Sequence, residues 1–177
     1  TLFNPSGTTD IHVMKLDPNG NMIWEVFVDE SDDDRALDLC VNSADEIVIT
    51  GYISPVALNY PELYVLQLDP GGNFMADSKL AHWHASAGTN IIQANNGNYI
   101  VGGFYSEPLS FPLIGNEALV VEFDPGLNYI THTQFSDLDA EHSSINDIVE
   151  IPTGYFLTGS VSMSAGYPIG QQGVLAV

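Results

Sequence analysis

One short phrase occurs three times in the chain and constrains its fold more than any other feature. It reads LDPNGN at residues 16–21, LDPGGN at 68–73 and FDPGLN at 123–128, with the aspartates 52 and 55 residues apart. Each phrase separates two short runs that are rich in apolar residues. Proline fixes φ at the first central turn position, glycine or asparagine takes the positive-φ position, and aspartate bonds the turn backbone. The phrases therefore predict three β-hairpins.

A carboxylate that recurs at the same place in every repeat is better explained by a structural role than by catalysis. We therefore assign the recurring residues of the three phrases to turns. They are Asp17, Pro18 and Gly20, then Asp69, Pro70 and Gly72, then Asp124, Pro125 and Gly126.

A second pattern recurs between the phrases, as two strand-like runs joined by a polar turn. Its first copy is 36–41 followed by 46–53, and related pairs follow at 90–104 and 147–160. Three glycines, Gly51, Gly103 and Gly159, fall at matching places in the second run of each pair. A glycine inside a strand pattern indicates a β-bulge or a close approach of two backbones.

The repeating unit thus holds four short strands in about 53 residues, a length and strand count typical of a β-propeller blade. No segment shows a capped apolar period of 3.6 residues, so we expect little helix. A solenoid usually has shorter repeats, and a β-sandwich would not repeat its turn chemistry in register. The prediction is an all-β chain, a β-propeller built from four-stranded antiparallel blades.

The predicted propeller segment is a single unit over residues 1–177. It contains the two outer strands of one blade (11–28), full blades at about 36–80 and 89–135, and an incomplete blade at about 145–177, roughly three and a third repeats. Propellers usually close with four to eight blades. The chain is therefore a piece of a larger ring, or is completed by another chain, or closes unusually. Two copies would supply nearly seven repeats.

The charge of the chain excludes two classes of partner. There are 23 acidic and three basic residues, a net charge of −20. Such a charge repels the phosphates of nucleic acids and anionic membrane surfaces, and it favours solubility, cation binding or a salty medium. No apolar run approaches 18 residues, so we predict no membrane insertion. The chain begins with Thr1, and from its first residues we expect no signal peptide.

The first repeat resembles a known family. The residues that carry the resemblance are similar to the SBBP-type β-propeller repeats of large secreted and cell-surface bacterial proteins: Val13, Lys15 to Asp17, Gly20 and Trp24, followed by Ala36, Asp38, Leu39 and Ile47 to Tyr52. Later repeats depart from this pattern, since Ala76 and Thr131 stand where the first has Trp24. The resemblance implies an exported, non-catalytic module used for display or adhesion, with other protein chains or further blades of the same protein as partners.

Calcium is the one cofactor that the sequence suggests. Asp29, Asp32, Asp33 and Asp34 lie within six residues, and a second acidic loop follows at 137–142. Carboxylates at this density can bind Ca²⁺, but neither loop has the glycine and glutamate spacing of an EF-hand. A solvated acidic loop is the alternative.

Other reactive residues have structural explanations. His82 and His84 flank Trp83 and would share a strand face, yet no third metal ligand is near in sequence. Cys40 lies in an apolar run and reads as a small buried side chain. No nucleophile or Walker motif is present, so we predict no enzyme.

The predicted function is a non-catalytic module, extracellular or on the cell surface, that displays loops and takes part in adhesion or a surface assembly. Unpaired strand edges at the ends of an incomplete propeller would invite strand addition. The first alternative is a carbohydrate-binding propeller, with surface glycans as ligands and aromatic side chains exposed together on one loop face. The less favoured alternative is a propeller enzyme such as a lyase, with His, Arg and Asp converging on a central channel.

Overall fold

The structure is a computed structural model that describes residues 9–55, 57, 60–80, 85–106, 115–135, 140–163 and 174–176. Over these ranges the chain has thirteen β-strands and no helix, so the all-β prediction is confirmed. No helix in this part of the chain is therefore long and apolar enough to cross a membrane.

The strands form four antiparallel sheets, and each strand pairs with its neighbour in sequence. Sheet 1 contains β1 (Ile11–Leu16) and β2 (Met22–Val28). Sheet 2 contains β3 (Asp34–Val41), β4 (Ile47–Ile53), β5 (Glu62–Leu68) and β6 (Phe74–Lys79). Sheet 3 contains β7 (Ala85–Gln93), β8 (Tyr99–Ser106), β9 (Glu117–Phe123) and β10 (Tyr129–Phe135). Sheet 4 contains β11 (Ala140–Ile151), β12 (Gly154–Met163) and β13 (Val174–Ala176). Among the described strands, no sheet closes on itself.

The first strand of each larger sheet begins earlier than the apolar pattern predicts. The apolar pattern places these runs from 36, 90 and 147, whereas β3, β7 and β11 begin at 34, 85 and 140. The added residues are mostly polar, and they are strand residues because they continue the pairing with the second strand of their own sheet.

A bulge recurs in these first strands. The pairing register shifts between Ala36 and Asp38 in β3, between Gly88 and Asn90 in β7, and between Ile145 and Asp147 in β11. Each bulge lies opposite one of the three predicted glycines: a Cβ on Gly51, Gly103 or Gly159 would sit 1.8, 1.9 or 2.0 Å from a carbonyl oxygen of Arg35, Ala87 or Ser144. The structure thus shows both a bulge and a close backbone approach at each site, because the bulge pushes the carbonyl toward the glycine.

The cores lie between successive sheets. On β5, Leu63 and Val65 pack toward sheet 3, while Tyr64, Leu66 and Leu68 pack toward sheet 1. The sheet is therefore buried on both faces, which explains its nearly continuous apolar sequence. A third cluster lies between sheets 3 and 4 and includes Ile100 and Ile148.

A pair of hydrogen bonds, the inter-sheet clasp, joins the first strand of sheet 3 and that of sheet 4 to the sheet before it. The Ser86 N–H donates to the Pro61 carbonyl (2.8 Å), and the Ser86 hydroxyl oxygen accepts from the Leu63 N–H (2.9 Å).

The same two bonds recur at the next interface. There the Ser143 N–H donates to the Asn116 carbonyl (2.7 Å), and the Ser143 hydroxyl oxygen accepts from the Ala118 N–H (2.8 Å). At the first interface the equivalent Asp34 N–H donates to the Thr9 carbonyl (2.6 Å). Successive sheets are thus attached at the same repeat positions.

Candidate functional site

The recurring aspartates organise their own turns. In the first turn, Asp17 Oδ1 accepts from the N–H groups of Asn19 and Asn21, and Oδ2 accepts from the Asn21 side-chain amide, each at 2.8 Å. Asp69 and Asp124 make the equivalent bonds. These bonds, led by that from the asparagine side chain, hold the pKa of each aspartate below its usual value. The three carboxylates are therefore occupied by hydrogen bonds within their own turns.

The third turn differs from the prediction. Gly20 and Gly72 take the positive φ (86° and 85°), but in the third turn Leu127 does so (60°), and Gly126 does not. Leu127 is 2% exposed and belongs to the core between sheets 2 and 3, against which Ala76 also packs. A leucine in this backbone region is strained, and its burial compensates for that strain.

The acidic loop is built around Asp34. This carboxylate is buried, and its Oδ2 accepts from the N–H groups of Glu30 (2.6 Å) and Ser31 (2.8 Å). The Ser31 hydroxyl donates to its Oδ1. Asp34 therefore orders the loop and ties it to the first strand of sheet 2.

The remaining charges of the loop have other surroundings. Asp33 pairs with Arg35 (3.4 Å) and Glu30 with Lys79 (2.9 Å), while Asp29 and Asp32 are exposed. No three His, Cys, Asp or Glu side chains in the described part of the chain form a group suited to a metal ion. Calcium stays a prediction. Residues 136–139 of the second acidic loop lie outside the described residues, as do His82, Trp83 and His84.

The other reactive side chains are engaged locally. Burial raises the pKa of the Cys40 thiol to about 11, and this half-buried side chain packs against the core between sheets 2 and 3. His12 stacks on Phe27, with 4.3 Å between ring centroids. His142 Nδ1 accepts from the Asn116 N–H (3.1 Å).

Some apolar positions are buried in the middle of the chain and exposed at its ends. Counting back from the Asp-Pro turns, Met14 is equivalent to Leu66 and Val121; it is 49% exposed, whereas both equivalents are 0% exposed. Leu16 is 50% exposed, and its equivalents Leu68 and Phe123 are 1% and 0% exposed. In the part of the chain that the structure describes, the face of sheet 1 that points away from sheet 2 is therefore exposed.

Two further positions show the same contrast. Counting from the bulges, Leu39 of β3 is 51% exposed, whereas its equivalents Ile91 and Ile148 are each 2% exposed. Counted in the same way, Phe156 of β12 is 48% exposed, and its equivalents Val48 and Ile100 are 0% and 4% exposed. Leu39 lies near the first sheet and Phe156 lies on the last.

A cavity of about 330 Å³ lies between sheets 3 and 4, beside β12. Apolar side chains form much of its wall: Ile100, Val120, Phe135, Tyr155 and Leu157. In sheets 2 and 3 the third and fourth strands of the repeat occupy the equivalent space. Among the described residues of sheet 4, β13 lies along β12 there and pairs with it at three positions.

A separate set of apolar residues is exposed in every repeat. These residues open the fourth strand of the unit, and their exposed fractions lie between 46% and 59%: Met22 and Ile23, Phe74 and Met75, Tyr129 and Ile130. Their exposure does not depend on the position of the sheet in the chain.

Comparison with known proteins gives no functional assignment. No protein-family model matches the sequence, and no curated protein matches it. Among solved structures, the chain is similar to a protein of unknown function from Bacteroides caccae, with 13% sequence identity and a TM-score of 0.49. The match covers 82% of this chain and 45% of that protein. The chain thus spans less than half the length of that protein, and the resemblance to SBBP-type repeats stays a prediction.

Sequence reasoning missed the clasp serines and the open positions. Ser86 and Ser143 lie outside the apolar runs, so the sequence pattern alone would place both residues in loops. Aligning the repeats from their bulges would have placed both at the position of Asp34. The open faces had no local signal, because Met14 and Leu66 look alike in sequence and differ only in what covers them.

Proposed function

We propose that the protein is a non-catalytic structural module of the β-propeller type, which associates with further sheets of its own kind. The observation that carries this proposal is the contrast in exposure at equivalent positions. Met14 and Leu16 are half exposed, where the same positions in sheets 2 and 3 are fully buried. Apolar surface of this kind is favourable to cover, at about 25 cal/mol per Å².

The repeated clasp supports the propeller arrangement. The same backbone donors and acceptors join sheets 1 and 2, sheets 2 and 3, and sheets 3 and 4. A constant relation between successive sheets generates a curved series, and a ring is the closed form of that series. The four-stranded meander of sheets 2 and 3 is the order expected of blades.

The setting that we propose is extracellular or the cell surface, where the module presents its loops on a rigid scaffold. The acidic composition suits a salty medium, in which counter-ions screen self-repulsion. The recurring carboxylates Asp17, Asp69 and Asp124 are occupied by turn bonds, which supports a structural role rather than a catalytic one. Other protein chains or further blades are the proposed partners.

Methionine oxidation tests this proposal. Met14, Met22 and Met75 are 49%, 57% and 46% exposed in the isolated chain, so peroxide is expected to oxidise them at similar rates. In protein isolated from its source without unfolding, a covering sheet protects Met14, while Met22 and Met75 stay reactive. Peptide mass spectrometry reads the three rates separately. If Met14 oxidises there as fast as Met75, the proposed function is wrong.

Carbohydrate binding is the second candidate, and one observation favours it. Phe74 and Tyr129 occupy equivalent positions and are 59% and 46% exposed, as stacking platforms for sugars would be. Glycan-array binding that is saturable and is lost in Tyr129→Ala and Phe74→Ala would support it. Binding that survives both substitutions, or no binding, would leave the structural module as the sole candidate.

A further inference from the structure

We propose that the outer edge of β10, the fourth strand of sheet 3, binds an extended, cationic segment of another protein by strand addition. In strand addition, an extended peptide pairs with an exposed sheet edge, and its backbone hydrogen bonds supply the affinity. This edge is a different surface from the exposed face of sheet 1, so binding here does not depend on the function proposed above.

The outer edge of β10 is the side that faces away from β9. Sheet 3 has the strand order β10-β9-β8-β7, and β10 pairs with β9 from Tyr129 to Phe135. Among the residues that the structure describes, no strand pairs with the outer edge. A bulge interrupts the pairing between Tyr129 and Thr131, so the regular part of the strand is Thr131 to Phe135. In this part, alternate residues direct their N–H and C=O groups outward, where a partner strand can bond them.

The sequence of β10 lacks the features that usually prevent strand addition. Natural edge strands are protected by charged side chains or by proline. β10 reads YITHTQF and contains no Lys, Arg, Asp, Glu or Pro. β-branched and aromatic residues, which favour strands, make up most of it, and five of its seven side chains are exposed. The edge is therefore suited to pairing with a further strand.

The fourth strands of sheets 1 and 2 carry the charges that β10 lacks. In sheet 1, β2 contains Glu25, and in sheet 2, β6 contains Asp77 and Lys79. All three of these side chains are exposed. Of the three fourth strands that the structure describes, β10 is the one without an acidic residue, a lysine or an arginine. Strand addition is therefore expected at sheet 3 rather than at the other two sheets.

The charge of the chain identifies the kind of partner. All three basic residues precede sheet 3, and the last of them is Lys79. The described part of sheet 3 therefore has no lysine or arginine, and its acidic residues are Glu117, Glu122 and Asp124. A second copy of the chain, with its own net charge of −20, is repelled by this field, whereas a cationic segment is attracted to it.

The alternation of side chains along a strand sets where the cationic residues of the partner lie. Thr131 pairs directly with Glu122 on β9, so the side chains of Thr131, Thr133 and Glu122 are on one face of the sheet. A partner strand with Lys or Arg on this face brings cations to the face that carries Glu122. On the other face, beside Gln134, β-branched residues suit a strand. The expected partner segment thus alternates cationic and β-branched residues.

Fluorescence anisotropy with a labelled peptide, Lys-Thr-Lys-Thr-Lys-Thr-Lys, tests the proposal on the full chain. The expected result is saturable binding that weakens as added salt screens the attraction. A control peptide with Glu in place of every Lys is expected not to bind. A second control keeps every Lys and carries a methyl group on every backbone nitrogen, which removes the hydrogen-bond donors but not the charge. Its Kd is expected to be at least about tenfold higher.

Two variants of the chain locate the site. Thr133→Lys places a charge of the same sign as the peptide on an exposed position of β10, and it is expected to raise Kd about tenfold or more. Met75→Lys is the matched control, because it adds the same charge at a position of β6 that is 46% exposed, and it is expected to change Kd less than about twofold. Far-UV circular dichroism checks that both variants fold.

Hydrogen exchange measured by NMR shows whether the peptide pairs as a strand. When the Lys-Thr peptide binds, the alternate amides of β10 that point away from β9 are expected to gain protection. The amides of β6 are expected to exchange as before.

Four results overturn the proposal: no saturable binding, equal affinity for the N-methylated peptide, equal effects of the two lysine substitutions, or unchanged exchange of the β10 amides. A dimer in sedimentation equilibrium that Thr133→Lys dissociates would also overturn it, because a second copy would then occupy the edge. Protection of Met14 from peroxide tests the function proposed above, and its outcome is independent of peptide binding at β10. Failure of either test therefore leaves the other conclusion intact.

Discussion

The ring of Trp24 on sheet 1 lies over Gly72 of the second turn: a Cβ on Gly72 would sit 3.0 Å from Trp24 Cε3. The Trp24 indole N–H also donates to the Pro70 carbonyl (3.2 Å). At the next interface the equivalent residues are Ala76 and Leu127, a small residue on the strand and a large one in the turn. Each interface therefore contains one large and one small residue, and the strand and turn positions that they occupy are exchanged between the two interfaces.

Gly72→Ala is expected to destabilise the fold more than Gly20→Ala. Both glycines have φ near 85°, so each alanine costs about 1 kcal/mol for the left-handed backbone. Around Gly20 nothing lies within 4 Å of an added Cβ, whereas at Gly72 the Trp24 ring has to move. Urea unfolding of both variants gives the two free energies. Equal losses would mean that the contact with Trp24 contributes nothing.

The double substitution Ala76→Trp and Leu127→Gly is expected to reproduce, at the interface between sheets 2 and 3, the packing of an indole ring over a glycine in the turn. Leu127→Gly alone removes a side chain that is 2% exposed and should cost about 2–5 kcal/mol. Ala76→Trp alone overpacks the core, at about 1–3 kcal/mol. The double variant should lose less than the sum, since the indole fills the space left by the leucine. A double-mutant cycle by urea unfolding measures the coupling between the two positions. Free-energy losses that are strictly additive would contradict the expected compensation.

The parts of the fold that are local in sequence were predictable. The hydrogen bonds of the Asp17 turn join residues no more than four positions apart, so a short segment of sequence is enough to predict the turn. The bulge opposite Gly51 was also predictable from the glycine itself. A Cβ at this position would lie 1.8 Å from the Arg35 carbonyl oxygen, so no other residue fits there. Alternation of apolar residues then gives strand faces without any tertiary information.

The rest depends on which sheets lie side by side. Leu127 takes a strained backbone because a neighbouring sheet offers it a core, and nothing in the phrase FDPGLN announces that neighbour. The Ser86 hydroxyl oxygen accepts a hydrogen bond from the Leu63 N–H, which is 23 residues away in sequence, and no local sequence pattern predicts a contact at that separation. The candidate site consists of exposed apolar side chains such as Met14 and Leu39, and their exposure depends on how the described sheets are arranged in three dimensions.

Ser86→Ala tests the inter-sheet clasp. The Ser86 hydroxyl oxygen is the acceptor for the buried Leu63 N–H at 2.9 Å, and alanine leaves that donor unpaired. An unsatisfied buried donor costs about 1–3 kcal/mol. Ser143→Ala is expected to behave alike at the next interface, and exposed Ser43→Ala is the control with a change under about 0.5 kcal/mol. Thermal unfolding that ranks Ser43→Ala with the clasp variants would contradict a role for the clasp.

The turn aspartates predict how stability depends on pH. Bonds from the Asn73 side chain and backbone hold the pKa of Asp69 below its usual value. A carboxyl whose pKa is lower in the folded state contributes stability above the unfolded pKa of about 3.9, and loses it as pH falls through the folded pKa. The contribution of Asp69 is therefore present at neutral pH and disappears in strong acid.

Asp69→Asn isolates this contribution. The asparagine keeps an oxygen at the position of Oδ1 and removes the charge, so the variant is expected to be less stable than the parent at pH 7. The gap should narrow as the pH falls below about 4, because the parent then becomes protonated. Urea unfolding from pH 7 to pH 2 measures it, and exposed Asp45→Asn serves as a control for the change in net charge. A gap that is constant over this range, or that widens in acid, would show that the charge of Asp69 does not stabilise the turn.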